Sequence, residues 1–198
     1  MKYVLIDKNY EIIDKIDSVT SGGAEHYFMG RKQMKDKDAF YKLWKILPKK
    51  EYDLNKFIIL FPFCSPHLII KKWPHYNKFI ELVKNKYNNE YKVLVAPGPL
   101  EIPMTKDINA VTVLNDQKAL TISELASLIK DSSYVVANDT GPAHMAAHLG
   151  VKGLTLFGSH TTAYKVSIER ENFKAIQVAD LNKLTPEKVF EKFVESLN

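Results

Sequence analysis

The chain has 198 residues, of which 45% are hydrophobic and 26% charged, and its formal net charge is +5. This hydrophobic content can form a core, which excludes a disordered chain, a collagen-like repeat and a disulfide-stapled miniprotein. The single cysteine, Cys64, excludes an intramolecular disulfide and a Cys-based zinc site. Because the longest apolar run, Phe57 to Cys64, is too short to cross a bilayer, we expect a cytoplasmic protein.

The positive charge is concentrated in one segment. Residues 31–56 contain nine Lys or Arg and four Asp or Glu, so they carry the whole excess of positive charge. Only two of the 28 cations of the chain are Arg, the residue suited to bidentate contacts with bases and phosphates. The charge therefore argues against a nucleic-acid partner.

The first third of the chain shows two kinds of pattern. Tyr3–Ile6 and Glu11–Ile16 are β-prone runs around a turn-prone Asp-Lys-Asn, which predicts a hairpin. Between Ala39 and Leu47 apolar residues recur at helical spacing, which predicts an amphipathic helix with Lys on its solvent face, ended by Pro48. We therefore predict a separate N-terminal segment over residues 1–54.

Beyond this segment, continuous apolar strands alternate with amphipathic helices. The alternation predicts an α/β fold: a Rossmann-like parallel sheet with helices on both faces, over residues 55–198. The predicted strands are Phe57–Phe61, Lys92–Ala96, Val111–Leu114, Tyr134–Ala137, Gly153–Phe157 and Lys174–Val178. The predicted helices are Tyr76–Tyr87, Ser123–Lys130 after a Thr121 or Ser123 cap, Pro142–Leu149 before Gly150, and a C-terminal helix with Pro186 in its first turn.

The residues that follow the strands are the candidates for a site, because ligands bind beyond the carboxyl ends of such strands. The sharpest group is Asn138–His144, at a junction from strand to helix. Free N–H groups and the positive end of the helix dipole favour a phosphate there, and Gly141 allows close approach. Thr140 can add a hydroxyl donor. Asp139 would repel a phosphate placed on it, so a sugar hydroxyl is its better partner.

Simpler interpretations of these side chains stay open. Asp139 or Thr140 can merely cap the helix, with His144 and His148 ordinary helix residues. For His160, in a loop after a strand, a histidine without a role is the favoured interpretation. Trp73 is interpreted as a packing anchor rather than a ligand contact.

Four motifs in chain order resemble those of glycosyltransferase family 9, the ADP-heptose:lipopolysaccharide heptosyltransferases. The clearest is Val135–Gly150, followed by Leu154–Gly158. Phe61–Pro74 resembles the family's Pro-Gly-x-Ser…Lys-x-Trp-Pro loop, and Gly98–Glu101 its Gly-x-x-Glu. Leu120–Ala126 approximates its Leu-Ser-Leu-x-Glu-Leu-Ala helix start. Each motif alone is weak, but four in order are specific.

The resemblance implies the C-terminal half of a GT-B glycosyltransferase that binds ADP-heptose or a related nucleotide-sugar for lipopolysaccharide or cell-surface glycan synthesis. It implies inversion, with no metal or other cofactor. Lys71 would neutralise the diphosphate, Glu101 would hold the ribose hydroxyls, and Leu120 would line the adenine slot. The donor-binding residues it implies are Ser65, Lys71, Glu101, Leu120, Asp139, Thr140, Gly141 and His144.

The sequence also departs from the family. Pro62-Phe63 stands where the family has Pro-Gly, and Gly158–Thr162 where it has Gly-x-Thr-x-Pro. Residues 1–54 stand where the family has a whole N-terminal domain, which supplies the catalytic base and most of the acceptor site. No base is therefore assigned, and we expect little transfer by this chain alone.

Three functions follow from these patterns. The first is a heptosyltransferase-like enzyme, the second a catalytically incomplete nucleotide-sugar binding remnant or one half of a split glycosyltransferase, and the third a nucleotide-sugar epimerase or similar enzyme. The expected partners are an anionic glycolipid acceptor, the inner-membrane surface and a second chain that supplies the acceptor half. The Lys-rich helix would face that surface, although a merely solvated helix face is the simpler interpretation.

Overall fold

The computed structural model describes residues 3–6, 12–16 and 56–197 of a chain that divides into two compact units, residues 1–49 and 50–198. In the first unit, strands β1 (Tyr3–Ile6) and β2 (Ile12–Ile16) pair antiparallel, which confirms that the two predicted runs pair. The predicted helix over residues 39–47 lies outside the described residues, and the predicted boundary between residues 54 and 55 stays a prediction.

The second unit is built on a six-stranded parallel sheet. Its strands are β3 (Phe57–Phe61), β4 (Lys92–Val95), β5 (Val111–Thr112), β6 (Tyr134–Asn138), β7 (Gly153–Phe157) and β8 (Phe173–Gln177). Every neighbouring pair is parallel, in the order β5-β4-β3-β6-β7-β8. This is the strand order of a doubly wound Rossmann-type sheet, which confirms the predicted α/β class.

Helices connect these strands. The described α-helices are α1 (Tyr76–Tyr87), α2 (Ile122–Asp131), α3 (Gly141–His148), α4 (Ala163–Val166) and α5 (Pro186–Leu197). Short 3-10 helices occupy Pro66–Lys71, Ile102–Asp107 and Leu181–Lys183. These short helices and α4 were not predicted, because three to six residues are too few to show a helical period. No helix within the described ranges has the length and hydropathy needed to cross a membrane.

Local signals set the ends of the helices. Thr121, and not Ser123, caps α2: its hydroxyl accepts from the backbone N–H of Glu124, whose side chain accepts in return from the backbone N–H of Thr121. Gly150, just after α3, has a φ of +72°, which glycine adopts without strain. Pro186 begins α5, as expected from its fixed φ.

Some strand ends differ from prediction by one or two residues. The strand β4 stops before Ala96 and β5 stops before Val113, although both residues are apolar. Ala96 is only 6% exposed and Val113 packs against the core, so loop residues beyond a strand also contribute apolar surface. The strand β8 begins and ends one residue earlier than predicted. Hydrophobicity therefore located the strands better than their ends.

The sheet has a hydrophobic layer on each face. In β3, Ile58 and Leu60 pack into the layer formed with α1 and α5, whereas Ile59 and Phe61 pack into the layer formed with α2 and α3. All four side chains are 5% exposed or less. Because both faces are covered, the strand is apolar at every position, which is the pattern that made it predictable.

Candidate functional site

The sheet changes its winding direction between the neighbouring strands β3 and β6. The chain continues from β3 to β4 on one side and from β6 to β7 on the other. In parallel α/β sheets such a switch point opens a crevice beyond the carboxyl ends of the strands. The loops that enter this crevice carry Lys71, after β3, and Asp139, after β6.

Asp139 is the centre of a buried polar cluster at this edge. Its side chain is 4% exposed, and three side chains donate to its two oxygens. Lys71 Nζ lies 2.8 Å and His160 Nε2 3.0 Å from Oδ2, and His144 Nε2 lies 3.3 Å from Oδ1. Since a carboxylate oxygen only accepts, the imidazole nitrogens that face it carry a proton. These four side chains are called the Asp139 cluster below.

The partners of Asp139 keep it ionised. Burial raises the pKa of its carboxyl group, but the hydrogen bonds from His144 and Lys71, together with the positive charge of Lys71, lower that pKa by more. The net result is a pKa far below the usual range of Asp. Asp139 therefore carries a full negative charge at neutral pH, and the charge of Lys71 balances it.

Acid is expected to remove the stability that this carboxylate contributes. Because the folded-state pKa lies below the unfolded value of about 3.9, the contribution is complete above that value and is lost as the pH falls toward the folded-state pKa. Between about pH 5 and 3, the unfolding free energy of the unaltered chain should fall more steeply than that of Asp139→Asn, by up to about 1.4 kcal/mol per pH unit. Urea unfolding at each pH measures both slopes, and equal slopes would contradict the prediction.

Asn138, the last residue of β6, fixes the loop that carries Lys71. Its fully buried Oδ1 accepts from the backbone N–H of Trp73 at 3.2 Å and from the hydroxyl of Tyr76 at 3.1 Å. Its Nδ2 donates to the carbonyl of Pro62 at 2.9 Å. Burial raises the pKa of Tyr76, so its hydroxyl keeps the proton that it donates. One side chain thus ties the end of β6 to both ends of the loop after β3.

Trp73 anchors the same loop through buried ring contacts and one hydrogen bond. Its indole is fully buried and lies edge-on to the rings of Tyr76 and Phe79. Its Nε1 donates to the carbonyl of Leu184 at 2.7 Å. The interpretation of Trp73 as a packing anchor is confirmed.

The start of α3 is not capped by the side chains that the sequence offered. Thr140 occupies the N-cap position, but its hydroxyl makes no cap hydrogen bond and lies 3.3 Å from the carbonyl oxygen of Asn138. The carboxylate of Asp139 is used in the Asp139 cluster instead. Neither side chain therefore supplies a cap hydrogen bond, and His144 contacts Asp139. A functional role for these residues stays a prediction. Gly141, the first residue of α3, lies beside them.

A cavity of about 200 Å³ lies between the carboxyl ends of β3 and β4 and the starts of α2 and α3. It brings together three predicted residues, Glu101, Leu120 and Thr140, between the apolar side chains of Phe61 and Pro142. Glu101 Oε2 accepts from the backbone N–H of Gly98 at 2.7 Å, and no hydrogen bond to its Oε1 is found among the described residues. The cavity therefore has apolar walls and the carboxylate of Glu101 among its lining side chains.

A larger cavity of about 550 Å³ shares Gly98 and Glu101 with the first. Ser65 and Lys72 line this larger cavity and not the smaller one. The two neighbouring lysines therefore have different surroundings: of the two, only Lys71 contacts Asp139. Burial raises the pKa of the Cys64 thiol, which also lines the larger cavity and stays protonated at neutral pH.

His160 is the functional candidate that sequence reasoning missed. The favoured interpretation was a loop histidine without a role, but its side chain is only 8% exposed and hydrogen-bonds Asp139. A signal was available: His160 follows β7 as Asp139 follows β6, and adjacent parallel strands place their carboxyl ends at one edge.

In the described part of the chain, no group of three or more His, Cys, Asp or Glu side chains is arranged to hold a metal ion.

A doubly wound sheet with a polar cluster and cavities at its switch point defines the class of Rossmann-like ligand-binding domains. Comparison with protein families then narrows the class. The model of glycosyltransferase family 9 (heptosyltransferase) matches residues 24–189, well over half of the chain. The chain belongs to glycosyltransferase family 9. No curated protein matches the sequence significantly.

Solved structures show the same fold. The chain is 20% identical to Escherichia coli heptosyltransferase WaaC with ADP-2-deoxy-2-fluoro heptose, with a TM-score of 0.63 over 83% of this chain and 49% of that one. The chain is 18% identical to E. coli ADP-heptose lps heptosyltransferase II, with a TM-score of 0.61 over 91% of this chain and 52% of that one. It is 17% identical to the UDP-GlcNAc 2-epimerase of Methanocaldococcus jannaschii, with a TM-score of 0.59 over 82% of this chain and 47% of that one. The chain thus spans about half the length of each, as expected for one half of a GT-B structure.

Proposed function

We propose that this chain is the donor-binding half of a glycosyltransferase that uses ADP-heptose or a related nucleotide-sugar to build lipopolysaccharide or another cell-surface glycan. The observation that carries the proposal is the Asp139 cluster beside a small apolar cavity at the switch point of the sheet. Membership of glycosyltransferase family 9 supports the class of reaction, and the WaaC structure with an ADP-heptose analogue supports the class of donor.

In this proposal the smaller cavity receives the nucleoside. Leu120 and Pro142 are apolar walls against which a flat base such as adenine packs. Glu101 lines the same cavity with its Oε1 available to accept from ribose hydroxyls. Thr140, which also lines it, leads to Gly141 at the start of α3, where helix N–H groups favour a phosphate.

Lys71 supplies the positive charge for the diphosphate. In glycosyl transfer an acceptor hydroxyl gives its proton to a base and attacks the anomeric carbon. The bond from that carbon to the diphosphate oxygen breaks, and the nucleoside diphosphate leaves with extra negative charge. Lys71 and the start of α3 would stabilise that charge without a metal, and attack opposite the leaving group inverts the anomeric carbon. Asp139, only 4% exposed and bonded to three donors, would hold Lys71 until the donor binds, and its burial leaves little of the carboxylate for a sugar hydroxyl.

The donor site is tested by ADP binding. Titration calorimetry should show that the unaltered chain binds ADP and that Lys71→Met weakens binding by about tenfold or more, because a charge-assisted contact to phosphate is lost. Lys72→Met is the matched control, since the neighbouring lysine lines the larger cavity and should leave the affinity nearly unchanged.

The outcomes are distinct. An unaltered chain that binds neither ADP nor another nucleoside diphosphate at millimolar concentration would overturn the proposed function. Equal losses for Lys71→Met and Lys72→Met would show that general charge, and not the Asp139 cluster, attracts the nucleotide.

A second candidate function is donor binding without transfer, with the acceptor half and the catalytic base supplied by another chain. The observation in its favour is that the Asp139 cluster and the smaller cavity are both built from one sheet and its loops, so donor binding would need no residue of an acceptor half. Both candidates require ADP binding, and transfer from ADP-heptose to a lipid A-core acceptor by this chain alone would exclude the second. We further propose an anionic glycolipid acceptor at the inner-membrane surface, on the cytoplasmic side, which the lysines of residues 31–56 would attract.

A further inference from the structure

The three donors of the Asp139 cluster are divided unequally between the two carboxylate oxygens. Oδ1 accepts from His144 alone, whereas Oδ2 accepts from both Lys71 and His160. If Lys71 leaves, each oxygen therefore still has one hydrogen bond. If His160 were absent, departure of Lys71 would leave Oδ2 without a donor among the described residues.

The three donors also differ in their freedom to move. The side chain of Lys71 is 21% exposed, against 6% for His144 and 8% for His160. The imidazole of His160 is stacked on the ring of Phe157, with centroids 5.8 Å apart and an interplanar angle of 16°. Lys71, on a long flexible side chain at the end of a 3-10 helix, is thus the partner that can turn toward a ligand.

We propose that His160 is a positioning residue that keeps Asp139 hydrogen-bonded while Lys71 turns from the carboxylate to the diphosphate of the nucleotide-sugar. The inference rests on the proposed function, because it needs a donor diphosphate for Lys71 to bind. It assigns a role to a side chain that lies on a different strand end from the nucleotide cavity.

The physical reason is the cost of an unpaired buried charge. Asp139 is almost fully buried, and a buried carboxylate oxygen without a donor is strongly disfavoured. Without His160, Lys71 would stay on Oδ2, and the diphosphate would have to compete with a buried carboxylate for the same ammonium group. With His160 present, the Nε2–H group of its imidazole still donates a hydrogen bond to Oδ2 after Lys71 has left. The other ring nitrogen of His160, Nδ1, is buried with no hydrogen-bond partner in the described structure. The hydrogen bond from Nε2 is therefore the one that connects the ring to the Asp139 cluster.

The test compares two replacements of His160. His160→Phe keeps a ring that can stack on Phe157 but has no N–H, whereas His160→Gln keeps an amide N–H that can reach Asp139. By titration calorimetry, His160→Phe should weaken ADP binding by about tenfold, the effect of one hydrogen bond to a charged group. His160→Gln should stay within about twofold of the unaltered chain if the N–H is what matters.

A double-mutant cycle tests whether His160 acts through Lys71. In a Lys71→Met background, His160→Phe should change ADP affinity by less than about twofold, because there is no ammonium group left to release. Fully additive losses would overturn the inference, and so would a loss in His160→Gln as large as in His160→Phe.

Folding and function are separated by further readouts. Thermal unfolding without ADP identifies a variant that fails to fold; if His160→Phe does, His160→Leu replaces it in the cycle. If His160→Phe, or His160→Leu in its place, folds and binds ADP as well as the unaltered chain, the inference is overturned but the proposed function stays intact. Absence of ADP binding by the unaltered chain would overturn both.

Discussion

Replacing Asp139 with alanine is expected to lower the unfolding free energy by about 3 kcal/mol, which is the scale for removing one partner from a buried charge cluster. The change leaves the ammonium group of Lys71 and the Nε2–H groups of His144 and His160 without their acceptor. Both imidazoles are less than a tenth exposed, so water cannot fully replace the lost hydrogen bonds.

Urea unfolding at pH 7, followed by circular dichroism, measures this loss. Asp131→Ala is the control, because Asp131 is an exposed carboxylate at the end of α2 and its side chain makes no hydrogen bond or ion pair with another described residue. It should leave the unfolding free energy close to that of the unaltered chain. A loss in Asp139→Ala no larger than in Asp131→Ala would show that the cluster contributes nothing to stability.

The largest effect is expected at Trp73. Trp73→Ala should lower the unfolding free energy by about 4 kcal/mol, because it opens a cavity in the layer between α1 and the sheet. The substitution removes a fully buried indole, its edge-on contacts with Tyr76 and Phe79, and the donor to the carbonyl of Leu184. Because Trp73 follows Lys71 by two residues, the loop that presents Lys71 should loosen as well.

Two further variants calibrate this prediction. Trp73→Phe keeps much of the apolar volume but no donor for Leu184, so its loss should be smaller than that of Trp73→Ala. Tyr164→Ala removes an aromatic side chain that is 90% exposed and should have little effect. Urea unfolding ranks the three, and a Trp73→Ala loss similar to that of Tyr164→Ala would exclude the anchoring role.

Much of the fold was predictable because its elements carry local signals. The strands β3 and β7 were predicted with their exact ends and β6 to within one residue, since strands covered on both faces are continuous apolar runs. The helix α2 was predicted to within one residue at each end because Thr121 and Glu124 form a capping box. The short 3-10 helix that ends at Lys71 has no such signal, and it is the element that presents the key lysine.

The candidate site was predictable only in part. Glu101, Leu120 and Thr140 line one cavity, and the resemblance had implied that all three bind the donor. Lys71 meets Asp139, 68 residues later, because β3 and β6 are neighbours in the sheet. The sequence did not distinguish Lys71 from Lys72 by charge. Ser65, which the resemblance implied to be a donor-binding residue, lines the larger cavity, and its role stays a prediction.

The sequence by itself determined the α/β class, the parallel sheet and the edge at which the site lies, because hydrophobic periodicity and strand-end motifs are local properties of the chain. Only the tertiary structure decided which donors reach Asp139. The contact of His160 with Asp139 spans 21 residues, and Asn138 reaches Pro62 across 76. Such contacts depend on which strands become neighbours and on how deeply a loop is buried. Neither property can be predicted from the sequence around the contacting residues.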